Sequence, residues 1–455
     1  MRTADAVICG AGIAGIATAY QLAVKLGVKR VVLADERAPL SLTSDNSTEC
    51  YRNWWPGPGA AMVGLMNRSI DILEELAAES NNIFRMNRRG YLYATSDRER
   101  IIGFRAAAQE SEALGAGAAR EHIVKALSEE YTPASAEGFS GQPDGSDVLL
   151  DRGIIRKYFP YLSESTVAAV HARRCGWLSA QQLGMYMLER AREHGVEFVR
   201  APVTGVELEG GNVSGVRLGD GSQVATEGFF VAAGPLAPAV ARMLGVELPL
   251  FSERHLKIAF DDYLGIVPRD APLLIWTDPV RLAWSEDERE MFRDDPELRW
   301  LLDELPAGAH GRPEGGPDSH MVLMLWTYDT AVMEPTWPLP VEPHYHEIVL
   351  RGLANMIPGL SAYFGKAAMP YVDGGYYTKT KENRLLAGPL PVPGAFILAG
   401  LSGYGIMSAC GAAELAARSF TGDSLPGYAP AFRLERYSDA GYLKLLSTWG
   451  ASGQL

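Results

Sequence analysis

The hydrophobic pattern changes period twice within the first thirty-six residues. Val7-Ile8-Cys9 form a short unbroken apolar run, the pattern of a strand buried on both faces. Gly10-Ala11-Gly12-Ile13-Ala14-Gly15 interrupts it, an amphipathic stretch of helical period follows, and Val31-Val32-Leu33-Ala34 form a second apolar run closed by Asp35. The reading is strand, glycine turn, helix, strand. Met62, Leu65, Met66, Ile70, Leu73 and Leu76 then recur at helical spacing and predict a helix over 60–79. Residues 89–94 read as a strand and 98–114 as a helix. The stretch 128–147, rich in Ser, Pro, Gly and acids, reads as a surface insertion or a mobile lid. A helix over 179–194 ends at Gly195. Gly210-Gly211-Asn212 and Gly219-Asp220-Gly221 separate short strands at 206–208, 213–218 and 223–224, and a buried strand at 229–234 ends on glycine.

Beyond Arg254 the texture differs. Strands are expected at 255–260, 273–276 and 321–328, around a charged helical stretch at 286–305. The Gly, Pro and His content of 307–318 predicts a loop. A helix at 346–356 stops before Pro358. The last part holds a strand at 396–399, then Gly400-Leu401-Ser402-Gly403-Tyr404-Gly405, then an Ala-rich helix, which repeats the small-residue turn at a helix N-terminus.

Each glycine of the first turn has a mechanical task. Gly10 permits the tight turn, Gly12 lets a pyrophosphate approach the backbone, and Gly15 lets helix and strand pack closely. The helix N-terminus adds free N–H groups and partial positive charge. Asp35 stands about twenty residues beyond Gly15, where a carboxylate takes ribose hydroxyls. The arrangement predicts a dinucleotide site. No second glycine motif of this kind is present, which argues against a nicotinamide cofactor beside the first.

Composition narrows the class. With 455 residues, two domains are expected, and 47% hydrophobic with 21% charged residues fits a soluble globular protein. The net charge of −13 argues against nucleic acid or an anionic membrane as partner. The first strand begins too early to leave room for a removable leader, and the apolar stretch 13–26 is too short to span a bilayer. Cys9, Cys50, Cys175 and Cys410 lack metal-like spacing, which suits a reducing cytoplasm. His344-Tyr345-His346-Glu347 reads as a helix start rather than a metal site. Arg312 reads as a solvated loop arginine, with steering of an anionic substrate as the other option.

Four stretches together resemble the D-amino-acid oxidase superfamily of flavoproteins, most closely its sarcosine oxidase and glycine oxidase branch. They are the first glycine motif, Gly176-Trp177-Leu178-Ser179 leading to Gly195-Val196-Glu197, Val231-Ala232-Ala233-Gly234-Pro235, and Gly388-Pro389 through Ser402-Gly403-Tyr404-Gly405-Ile406. The resemblance implies an α/β fold: a Rossmann-type FAD-binding domain assembled from 1–88, 148–250 and 370–455, and an α+β substrate domain on an antiparallel sheet from 89–147 and 251–369. It implies FAD contacts from Gly10, Gly12, Ile13, Ala14, Gly15, Asp35, Glu36, Ser47, Thr48, Val203, Gly234, Gly403, Tyr404, Gly405, Ile406 and Met407. The second glycine turn would lie against the flavin, where a helix N-terminus stabilises the reduced anion.

The segment Ser47-Thr48-Glu49-Cys50-Tyr51-Arg52 resembles the sarcosine oxidase loop in which the last arginine grips the substrate carboxylate. Arg52 holds that place, with the other option that it binds backbone or a surface acid. Arg52, Tyr377 and Tyr404 are the expected catalytic residues, and Trp54, Trp55, Tyr51, Trp326, Tyr328 and Tyr376 are further candidates for aromatic walls. There are departures. Glu49 replaces the family's other arginine, which speaks against a plain small amino acid as substrate. Gly375 stands where the family's flavin-linking cysteine would be, and no His occurs between Met1 and Glu121, so FAD is expected without a covalent link. Met407 replaces a second carboxylate-binding lysine. The strand at 321–328 lacks the family's oxygen-activating lysine, and Lys257 is expected at a strand edge facing solvent.

The expected activity is oxidation of a C–N bond in an amino acid or secondary amine. A dehydrogenase passing electrons to a protein or quinone is favoured over an oxidase. The alternatives are a 2-hydroxy acid dehydrogenase and a flavoprotein subunit of a larger electron-transfer complex.

Overall fold

The opening apolar runs become neighbouring parallel strands. The computed structural model describes residues 2–123, 130–366 and 370–448. Ala6–Cys9 pairs with Val31–Asp35 on one side and Phe229–Val231 on the other. Val196–Arg200 and Ala395–Ala399 extend this sheet in parallel, and Leu386–Pro389 closes it antiparallel. Every residue of the helix Ile13–Tyr20 is buried, because the helix lies between this sheet and two other helices, Ala180–Glu193 and Gly405–Thr421. Burial on all sides explains why Ile, Ala and Gly fill it and no charge appears. Val203–Glu209, Asn212–Leu218 and Gln223–Ala225 form a separate four-stranded sheet with Arg2–Thr3.

Nine strands form the second large sheet, in the order Tyr371–Lys379, Phe251–Asp261, Met321–Leu325, His310–Pro313, Leu273–Trp276, Tyr91–Thr95, Ala168–Ala172, Ser146–Leu149 and Ala119–His122. It is antiparallel except for two parallel pairs, Leu273–Trp276 with Tyr91–Thr95 and Ala119–His122 with Ser146–Leu149. The mixed α/β architecture therefore stands as expected. Ser146–Leu149, Ala168–Ala172 and Tyr371–Lys379, which lie at or beyond the expected domain boundaries at 148 and 370, pair into this sheet.

Four local readings are corrected. Within 307–318, His310–Pro313 is a strand: composition there suggests a loop, but Met321–Leu325 supplies a ladder partner. The stretch 286–305 breaks into the helix Glu286–Asp294, a turn of 3₁₀ helix at Arg299–Leu302 and the strand Glu304–Leu305. Strand 321–328 stops at Leu325. Of the surface insertion or lid at 128–147, residues 128 and 129 lie outside the described residues. Tyr131, however, is buried, with its hydroxyl 2.8 Å from His171 Nδ1, so this part is anchored. Among the described residues, no helix is long and apolar enough to cross a membrane.

Candidate active site

The first glycine turn is built as tightly as its sequence demands. Gly10 has φ +110°, and a Cβ there would meet Ala232 O at 2.4 Å. A Cβ on Gly15 would fall 1.8 Å from Gly10 O, so Gly15 serves by packing and lines no cavity. Gly12 caps the helix with no side-chain hydrogen bond of its own, leaving the helix entrance open. The Ser44 hydroxyl accepts the Ile13 N–H at 3.1 Å and keeps its own proton to donate. Asp35 reaches across: its carboxylate accepts the Ala11 N–H at 2.7 Å and the Arg37 N–H at 2.9 Å. The acid thus ties the turn to the second strand, with further lone pairs on the same oxygens to meet a diol.

These groups border a cavity of about 310 Å³. Of the expected cofactor residues, Gly10, Gly12, Ile13, Ala14, Asp35, Glu36, Ser47, Val203, Gly234, Gly403, Gly405 and Ile406 line it. The helices Gly405–Thr421 and Ile13–Tyr20 therefore both bring their N-termini to this cavity. Two helix N-termini and a glycine-rich wall, with Asp35 and Glu36 placed for hydroxyls rather than phosphates, fit an anionic dinucleotide.

Thr48, Tyr404 and Met407 instead line a second cavity of about 50 Å³, which adjoins the first through Tyr377 and Gly403. All three expected catalytic residues border it. Arg52 is placed by a short ribbon in which Cys50–Arg52 pairs antiparallel with Cys175–Trp177. The ribbon needs Gly176, whose Cβ would lie 2.0 Å from Asn87 O. Arg52 is 3% exposed, donates to the Tyr93 hydroxyl at 3.0 Å, and sits 4.3 Å from the Trp55 ring centroid. Tyr404 donates to Asn383 O at 2.8 Å, so its ring forms a wall and its proton is committed elsewhere. Tyr377 stacks on His255 with ring centroids 3.9 Å apart, and burial pushes its phenol up to about 12.

The other aromatic candidates divide. Tyr376 borders the larger cavity. Trp55 stands behind Arg52. Tyr51, Trp54, Trp326 and Tyr328 line neither cavity; Tyr51 donates to Asn87 O and Trp326 to Pro306 O.

Three charged residues differ from expectation. Arg312 is fully buried, not solvated: it donates to Thr48 O at 2.8 and 3.0 Å, pairs with Glu314, and lies 3.4 Å from Glu49. Glu49 lines neither cavity. Its carboxylate accepts the Ala180 N–H at 2.8 Å at a helix N-terminus, and burial raises its pKa while Arg312 opposes the rise. The changed sign at position 49 is thus met by Arg312 within the scaffold, and Glu49 does not line the small cavity. Lys257 is 6% exposed in an interior strand and pairs with Asp373, because Phe251–Asp261 is flanked on both sides.

Sequence reading missed Tyr91, His255, His310 and Thr327, which also line the small cavity. A signal was present. Glu253, His255 and Lys257 alternate with other residues in Phe251–Asp261, the period of one sheet face, and all three are buried. Burial pushes the His310 imidazole down to about 4. Among the described residues, no cluster of His, Cys, Asp and Glu could hold a metal ion.

The fold is shared with solved structures. L-proline dehydrogenase from P. horikoshii superposes with a TM-score of 0.72 at 18% identity, covering 96% of each chain. Glycine oxidase from Geobacillus kaustophilus gives 0.70 at 15% identity, over 95% of this chain and 99% of that one. L-amino acid deaminase from Proteus vulgaris gives 0.68 at 17%, over 96% and 97%. No curated protein sequence matches the chain. A family model described as DAO, FAD dependent oxidoreductase, matches residues 5–419, a span that takes in both cavities and both large sheets, and the chain therefore belongs to the FAD-dependent oxidoreductase (DAO) family.

Proposed function

We propose that this FAD-dependent oxidoreductase oxidises the C–N bond of a small amino acid or secondary amine that carries a carboxylate. The observation behind the reading is the position of Arg52, a buried guanidinium on the wall of a small cavity that adjoins the dinucleotide cavity. FAD, when bound, supplies the acceptor for the hydride equivalent leaving the α-carbon. The chain's residues do the rest. Arg52 holds the carboxylate through a two-pronged hydrogen bond, which fixes the substrate in the plane of its guanidinium. Tyr91, Tyr377, Tyr404 and Leu325 form walls that exclude water, and positioning is the main demand of this chemistry. The names of the structural neighbours, a proline dehydrogenase, a glycine oxidase and an amino acid deaminase, agree with an amino acid as substrate.

Electron delivery to a protein or quinone remains our reading over oxidase action. The two lysines in the strands of this sheet, Lys257 and Lys379, are paired with the carboxylates of Asp373 and Glu253. A paired cation offers little net field to stabilise a nascent superoxide. One anaerobic experiment addresses substrate and acceptor together. N-methyl amino acids or small amino acids should bleach the flavin, while amines without a carboxylate and 2-hydroxy acids should not. Admitting air should then restore the yellow colour slowly. Bleaching by hydroxy acids alone would overturn the amine reading, and rapid recovery with stoichiometric peroxide would make the enzyme an oxidase.

Our reading also holds FAD without a covalent bond. Position 375 is a glycine and supplies no thiol for a link. Cys50, the only cysteine on the small cavity, donates its S–H to Thr48 O at 3.1 Å, and burial raises its pKa. Acid precipitation should leave the flavin in the supernatant; yellow protein in the pellet would show a link.

A further inference from the structure

Four polar side chains are linked from the wall of the small cavity outward, and carboxylate binding gives them no task. Thr327 lines the cavity, with Oγ1 3.0 Å from His255 Nδ1. His255 Nε2 lies 3.2 Å from Glu253 Oε2, and Lys379 Nζ lies 2.7 Å from the same oxygen. His255 and Glu253 are 6% and 5% exposed.

Donor and acceptor inventories fix the direction of every bond in this chain. Lys379 only donates, which suits an ionised Glu253. Burial would raise the Glu253 pKa, but His255 and Lys379 outweigh it and hold the carboxyl below its ordinary range. A carboxylate only accepts, so Nε2 carries the imidazole proton. Burial lowers the His255 pKa and keeps the ring neutral, which leaves Nδ1 as an acceptor. Thr327 must therefore donate its hydroxyl proton to Nδ1, and its oxygen presents lone pairs elsewhere. The other titratable groups around the ring are Tyr377 stacked on it, His310 across the cavity, and Asp329. Tyr377 and His310 are both neutral near pH 7, so Glu253, Lys379 and Asp329 set the local field.

We propose that Thr327 and His255 form the exit for the proton that the substrate's ammonium group must lose before oxidation. The inference rests on the amine reading, since amines bind as ammonium ions near neutral pH and only the free amine has a lone pair to assist hydride loss. The N–H bond of the ammonium breaks and its electron pair stays on nitrogen. Thr327 Oγ1 gains that proton as it passes its own to His255 Nδ1. The imidazolium so formed is held by Glu253 at Nε2 and by the face of Tyr377. Two protons shift in concert, one positive charge passes net from the ammonium to His255, and no oxidant is consumed. Thr327 touches the substrate, and His255 acts through it.

The test compares wild type, Thr327→Val and Thr327→Ser, each loaded with FAD, in anaerobic flavin reduction across pH 6 to 11 with an amine that bleaches wild type. Wild type should show an apparent pKa well below that of the amine in solution. Thr327→Val should be about 100-fold slower at pH 7, the usual scale of a lost proton-transfer group, and approach the wild-type rate once the amine is already free. Thr327→Ser should keep the wild-type profile. A loss in Thr327→Val that is equal at every pH would overturn the proposal, since packing alone would act that way. A second readout needs no turnover: histidine ¹⁵N spectra of resting holoenzyme should show His255 neutral with its proton on Nε2. A proton on Nδ1 would overturn it as well. If only hydroxy acids bleach the flavin, the amine reading falls and takes this inference with it. If amines bleach it and the profiles are parallel, this inference alone falls.

Discussion

Gly15→Ala should yield protein that is colourless after purification, with FAD affinity reduced by about 100-fold or more. The added methyl would sit 1.8 Å from Gly10 O. It cannot rotate away, because a Cβ has no torsion of its own. The backbone it strikes cannot retreat either, since Gly10 has φ +110° and already lies against Ala232. Helix and turn must separate, and inserting even one methyl group into a packed interior costs about 1–3 kcal/mol, more where the contact is backbone. That movement displaces the helix N-terminus from the place where the pyrophosphate belongs, so binding and stability fall together. Gly12→Leu reaches the same colourless state by another route. A Cβ there meets only Ser44 Oγ, at 3.3 Å, so the fold is kept while the larger side chain occupies the phosphate path. Flavin absorbance and thermal melting separate the cases. Gly15→Ala should melt below wild-type apoprotein and Gly12→Leu beside it. A yellow Gly15→Ala protein with wild-type stability would show that the turn is not built as described.

The second large effect is expected at Arg52. Arg52→Ala should lower kcat/KM for a carboxylate substrate by about 2–5 kcal/mol, the range for truncating one partner of a buried, hydrogen-bonded charge pair. That corresponds to roughly 30-fold to several thousand-fold. The decarboxylated analogue should lose much less, because it never had the partner. Arg52→Lys should recover little, since an ammonium provides neither the two-pronged geometry nor the flat face that lies over Trp55. Comparing flavin reduction by the acid and its analogue decides the matter. Equal losses would mean that Arg52 supports Tyr93 and the ribbon and reads no carboxylate.

What the chain reveals without a structure follows from the range of the forces involved. The first turn was legible because glycine sterics and apolar period act over a few residues, and Gly10, Gly12 and Asp35 border the cavity as that logic requires. Arg52 was legible through the likeness of its loop to a known family. Arg312 was not: Gly and Pro around it read as loop, and pairing with Met321–Leu325 on one side and Leu273–Trp276 on the other makes His310–Pro313 a buried strand. Lys257 and Asp373 lie 116 residues apart and meet through strand register, which no local window contains. The Thr327–His255–Glu253–Lys379 line is hidden for the same reason, since its members come from three separate segments. Strand alternation hinted at the face, and topology decided what the face meets.

The ribbon that carries Arg52 is fastened on several sides. Glu49 accepts the first amide of the helix Ala180–Glu193, Arg312 from the large sheet grips Thr48 O, and Arg89 and Arg312 each lie 5.0 Å from the Trp177 ring centroid. The guanidinium is thus held in one position by the scaffold itself. Its ordering entropy was spent during folding and is not charged again at each encounter. On the proposed reading of Arg52, a carboxylate would meet a guanidinium already in place, so little of the binding energy would go into ordering it. An arginine so held has little freedom to adapt, so a change of preferred substrate during evolution would have to come from reshaping the walls at Tyr91, Leu325 and Met407 while the anchor stays where it is.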